Sequence, residues 1–91
     1  MPMKLFEFTL WLARDSRDLL ARTNALHDAG ADDCSPGEHC GEPYLAFHRE
    51  AESFEAAVRS AIRDTQAAGC RTIRCEIDER QLAAYEAPPG R

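Results

Sequence analysis

The chain has 91 residues, of which 44% are hydrophobic and 30% charged, and its formal net charge is -5. This length supports one domain, near the lower limit of what folds without staples, and the apolar share excludes disorder along the whole chain. Nucleic-acid binding rests largely on neutralising phosphates, so direct nucleic-acid binding is not expected of an acidic domain, nor is docking on an anionic membrane.

The first twelve residues contain one Lys and an apolar run interrupted by Glu7. A secretory signal needs a longer apolar core, and a membrane span needs about 20 apolar residues. The expected location is therefore cytoplasmic, and the four cysteines are expected to be free thiols. Lys4–Leu12 alternates with period two. Phe6, Phe8, Leu10 and Leu12 form the core side; Leu5, Glu7, Thr9 and Trp11 form a mixed side. Residues 14–29 change to a helical period. Leu19, Leu20, Thr23 and Leu26 make the predicted buried stripe, with Arg17, Arg22 and Asp28 away from it. Asp15 or Ser16 is the expected cap and Gly30 the expected stop.

Residues 31–39 contain Pro36, which cannot donate to a ladder, so a strand here belongs at a sheet edge. Cys40-Gly41-Glu42-Pro43 supplies turn chemistry. Residues 44–49 alternate again, with Leu45 and Phe47 inward and Tyr44, Ala46 and His48 outward, which completes a predicted hairpin. Ser53 caps the strongest helical segment, in which Phe54, Val58, Ala61, Ile62 and Thr65 share one stripe and Gly69 ends the helix. In residues 70–77, Ile73, Cys75 and Ile77 are expected inward, and Thr72, Arg74 and Glu76 outward. Residues 79–91 are expected to form a short helical turn and a tail.

The order strand, helix, strand, strand, helix, strand, with right-handed crossovers, predicts an α+β ferredoxin-like βαββαβ sandwich over residues 1–78. Its sheet has four antiparallel strands, the first and third of them central, with both helices on one face.

The run Ala29-Gly30-Ala31-Asp32-Asp33, then Gly41, Tyr44 to Ala51, Ala61-Ile62-Arg63-Asp64 and Ala68-Gly69 resembles a family of small, largely uncharacterised bacterial ferredoxin-like domains. In that family an Asp-Asp pair, a Phe-Asp-Arg-Glu-Ala strand end and an Ala-Ile-x-Asp helix recur, often followed by a helix-turn-helix segment. The resemblance covers about residues 24–77 and implies a regulatory setting. His48 stands where the pattern favours Asp. The residues after Asp78 do not match the helix-turn-helix segment, so the resemblance brings no DNA-reading helix.

The sheet face without helices is expected to carry Glu7, Thr9, Trp11, Tyr44, Ala46, His48, Thr72, Arg74 and Glu76. It reads as a plain wet face, as a protein interface, or as a base-stacking platform, and the acidic balance counts against the last. The interface reading is preferred, centred on Trp11 and Tyr44 with Glu7, Thr9, Ala46, His48 and Arg74, and serving a homo-oligomer or a protein partner. The alternative is a metal- or redox-responsive site using Cys34, His39 and Cys40, although their spacing is loose for zinc. Cys75 is expected to be a small core residue. Arg49 is expected to lay its stem under the hairpin and to pair its fork with Asp32 or Asp33. No phosphate loop or nucleophile motif stands out, so neither an enzyme nor a cofactor is expected.

Overall fold

A computed structural model describes residues 3–77. The elements are β1 (Lys4–Leu12), α1 (Leu19–Asp28), β2 (Cys34–His39), β3 (Glu42–Ala51), α2 (Phe54–Ala67) and β4 (Thr72–Ile77). They form one sheet in the order β2-β3-β1-β4 with every pairing antiparallel, which is the ferredoxin-like arrangement. The tail expected over 79–91 lies outside the described residues.

β1 and β3 are central because they carry the apolar alternation. Their register sets Phe8 opposite Phe47 and Leu10 opposite Leu45. The Phe8 and Phe47 rings stack at 5.4 Å, and Phe54 of α2 meets Phe6 and Phe8 edge-on, both at 5.8 Å. Ala57 and Ala61 are fully buried on α2, where small side chains let the helix approach the sheet closely. Ser53 caps this helix by accepting from the Ala56 N–H, and Gly69 closes it at φ +81°. β2 is the edge strand that tolerates Pro36. The hairpin tip is Cys40-Gly41, both at positive φ, and Glu42 and Pro43 already belong to β3.

The first helix departs from the sequence reading. It starts at Leu19 with Asp18 as cap, not with Asp15 or Ser16. Asp15 instead accepts from the backbone N–H of Arg17, a local turn that competes with helical extension. The buried stripe is Arg22 and Leu26 flanked by Ala25 and Ala29, while Leu19 and Leu20 are exposed. Arg22 is buried because its stem covers apolar surface while its guanidinium donates to the Arg17 carbonyl at 3.0 Å. Arg17 itself donates to the carbonyls of Ala68 and Gly69, so a cation satisfies the C-terminal end of α2.

The Arg49 side chain, expected to pair with one aspartate, binds two. Its Nε and Nη2 donate to both carboxylate oxygens of Asp33, each at 2.8 Å, and Nη2 lies 2.9 Å from Asp64 Oδ2. Nη1 donates to Ser60 Oγ at 3.1 Å. The buried guanidinium thus ties the start of β2 to β3 and α2. Its hydrogen bonds hold the Asp33 carboxyl below the ordinary range, against a desolvation that acts the other way.

Replacing Arg49 with Met is expected to destabilise the fold by about 2–3 kcal/mol, since it strands two half-buried carboxylates without their hydrogen bonds. The Asp33 contribution has a defined pH window. A folded pKa below the unfolded value of about 3.9 gives stability that is present above that value and lost as pH falls through the folded pKa. Denaturant titrations across acid pH should therefore show a shallower acid loss for Asp33→Asn than for the wild type, from a lower neutral-pH starting point.

Candidate functional site

The helices cover one face of the sheet and leave the other open, and strand register alone decides which side chains share that open face. Successive registers place Gly37 opposite Tyr44, Tyr44 opposite Trp11, and Trp11 opposite Arg74. One row thus crosses all four strands. The next row holds Ser35, Ala46, Thr9 and Glu76, and beyond it His48 stands opposite Glu7.

Within the first row the contacts are continuous. Trp11 and Tyr44 lie with ring centroids 5.2 Å apart and planes tilted by 53°. Arg74 places its guanidinium carbon 4.9 Å from the Trp11 ring centroid, a cation over a π face. The indole Nε1–H donates to Glu76 Oε1 at 2.8 Å, which fixes the ring's direction. Tyr44 extends the row over β2, where Gly37 leaves room for it. A Cβ at residue 37 would sit 2.5 Å from Tyr44 Cζ and Oη. At the other end of the face, His48 Nδ1 and Glu7 Oε1 are 3.0 Å apart. Between these two polar and aromatic rows lies a floor of small side chains, Ser35, Ala46 and Thr9.

The structure therefore brings Glu7, Thr9, Trp11, Tyr44, Ala46, His48 and Arg74 onto one surface, as the alternation predicts. Thr72 is the exception. The register between β1 and β4 skips Ile73 next to Trp11 and Leu12, so Thr72 stands opposite Leu12 and its hydroxyl is buried. Gly37 is the part the sequence reading missed. A glycine inside a strand often marks a close approach of another group, and that signal was present beside Pro36.

Cys34 and His39 occupy opposite ends of β2, so the strand holds them apart instead of gathering a metal site. Cys34 packs near Ala31 and the core, and burial, with the Asp33 charge beside it, pushes its thiol up to about 11. Cys40 sits exposed at the hairpin tip. Among the described residues no group of three or more His, Cys, Asp or Glu side chains is placed to hold a metal ion. Cys75, expected in the core, is exposed. It lies on the helix side, opposite Leu10, where α2 approaches β4 without closing over it. Phe54, Val58, Ile62 and Cys75 instead line an open apolar groove of about 380 Å³, with Glu55 and Arg59 paired along its rim.

Among the described residues no helix is long and apolar enough to cross a membrane. No family model matches the chain, and no curated protein and no solved structure matches it either.

Two outcomes check this geometry. Gly37→Ala should displace the Tyr44 ring and change the near-ultraviolet dichroism of the Tyr44–Trp11 pair. Its stability cost should stay near 1 kcal/mol, because only the end of a side chain has to move. In a timed thiol titration of the native protein at neutral pH, Cys40 should react first. Cys34 should lag far behind, since its thiolate fraction is small.

Proposed function

We propose that this chain is a non-enzymatic binding module whose open sheet face recognises another protein. The observation that carries this reading is the continuous row Gly37, Tyr44, Trp11 and Arg74, held on the one face that the helices leave uncovered. A Trp and a Tyr fixed by lateral contacts offer rigid area at small entropic cost, the character of side chains that dominate protein interfaces. The floor of Ser35, Ala46 and Thr9 beside the ridge admits a partner's side chain, and the Glu7–His48 pair with Arg74 and Glu76, each held against Trp11, supplies a polar rim of both signs.

Acidic balance argues for a protein partner over nucleic acid. The row presents one cation, Arg74, and that cation is already engaged with Trp11. Single-strand binders join their stacking aromatics to a basic groove, and among the described residues the row beside these two rings carries Arg74 alone as a cation. The regulatory setting implied by the resemblance fits a module that passes on a contact and performs no chemistry.

The test is a matched pair of affinity purifications using wild type and the double variant Trp11→Ser, Tyr44→Ser. The double variant should remain folded, with a stability loss of about 1–2 kcal/mol from the lost cross-strand aromatic pair. Proteins retained by wild type should be lost by the variant. Their binding should also shift the emission of Trp11, the single tryptophan of the chain. Identical retained sets for the two proteins, or an emission that ignores the partner, would sink the reading.

A further inference from the structure

The two edges of the sheet are unlike each other. β2 is blunted, since Pro36 lacks an N–H and Gly37 is filled over by Tyr44. β4 is the other edge and has no proline and no lysine between Thr72 and Ile77. Among the described residues no strand pairs with its outer side, and such a rim of backbone groups is a template for another strand. Beside that rim lie the exposed side chain of Cys75 and the apolar groove it forms with Phe54, Val58 and Ile62, and Ile73 is exposed on the same strand.

The sequence of this edge reads Ile73-Arg74-Cys75-Glu76-Ile77, with opposite charges placed symmetrically about Cys75. Pairing with an identical strand, antiparallel and centred on Cys75, sets Arg74 against Glu76 of the second copy, and Glu76 against its Arg74. Cys75 meets itself on the two-fold axis, and Ile73, at the irregularity of β4, marks the end of the regular pairing. A shift of one residue would set Arg74 against Cys75, and a shift of two in one direction would set Arg74 directly opposite itself. Like charges directly opposite are destabilising and unlike charges stabilising, so the strand's own charges select the centred register.

From this self-complementarity we infer that β4 is a homodimer edge. Two copies join there into one eight-stranded sheet of order β2-β3-β1-β4-β4-β1-β3-β2. A strand pair of this length is marginal by itself. The same two-fold axis brings the two grooves together over the Cys75 pair, so that Phe54, Val58 and Ile62 of one copy face those of the other and supply apolar burial. Both sets of helices fall on one side of the joined sheet. Both aromatic rows fall on the other, giving one double-width open face. The inference shares Arg74 and Glu76 with the open face, but its backbone pairing and its apolar contacts lie on the edge and the groove side, which the aromatic row does not need.

Sedimentation velocity of the full chain under reducing conditions, over a wide range of concentration, tests it. A monomer–dimer equilibrium is expected. Cys75→Glu, which sets a carboxylate against its own copy, should weaken it about tenfold or more. Arg74→Glu alone should also weaken it. Arg74→Glu combined with Glu76→Arg should restore it, because the reversed charges pair again across the axis. Trp11→Ser with Tyr44→Ser should leave the dimer in place, so the two proposals fail separately. Directly opposite residues of an antiparallel pair lie about 4.5–5.5 Å apart at Cα, within disulfide reach. In a Cys40→Ser background, diamide should therefore take two electrons and two protons from a pair of Cys75 thiols, becoming the hydrazine as the S–S bond forms. That cross-link should vanish in Cys75→Ser. A monomer at every concentration, a double charge reversal no better than the single one, or a cross-link that survives Cys75→Ser each overturns the inference.

Discussion

The guanidinium of Arg49 is the constraint on which this small domain depends. It is buried on β3 between Asp33, which leads into β2, and Asp64 and Ser60 of α2. A hydrophobic core alone fixes β1 against β3, but a peripheral hairpin strand with Pro36 in it has few apolar side chains to contribute. The bidentate pair with Asp33 supplies in direction what β2 lacks in burial. Its second carboxylate, Asp64, then orients α2 over the same hairpin. The cost of burying the charge is offset only because four donor contacts are made at once, which is why removing either element of the set matters more than a surface ion pair would.

The three ionic members of this set come from three separated segments, Ala29–Asp33, Tyr44–Ala51 and Ala61–Asp64. Their meeting point is structural. Arg49 and its aspartates are committed to one another, and the Asp33 carboxyl is held ionised by that commitment. Such a carboxylate is a poor proton donor or acceptor near neutral pH. The residues that look most like a chemical motif in the sequence are therefore tied up in holding the fold together.

Much of the fold was legible because period-two alternation is a direct consequence of strand geometry. Phe6 to Leu12 and Leu45 with Phe47 could face only one way, and Pro36 could sit only at an edge. The open-face residues followed from the same alternation. The first helix was less legible, because two leucines at Leu19 and Leu20 outweigh Arg22 on any apolar scale. Yet the long aliphatic stem of Arg22 and the small side chains Ala25 and Ala29 fit the space against β2 better. Thr72 was misplaced for a different reason. One residue skipped in the β1–β4 register changes the facing of everything before it, and no local signal in Thr72 or Ile73 announces it. Cys75 was assigned to the core by its type, although what decides burial is how closely α2 packs on the edge strand, and there it leaves an open groove.

The open face is specified as tightly as the core, and by the same means. Trp11 stands one residue from Leu10 and Leu12, and Tyr44 one from Leu45. A register slip of a single residue would turn the aromatic row inward and expose the phenylalanines. The burial of Phe8, Leu10, Leu45 and Phe47 therefore stabilises the alignment of Trp11 with Tyr44, Gly37 and Arg74 without any of those residues entering the core. Lateral contacts then remove the remaining freedom. Glu76 fixes the indole's direction, Arg74 covers its face, and the missing side chain of Gly37 gives Tyr44 one place to lie. A surface ordered in this way before any partner arrives loses little side-chain freedom on contact. Such ordering is hard to account for on a face that only meets water, because solvent exposure alone favours neither a shared row nor a glycine beneath its outer ring.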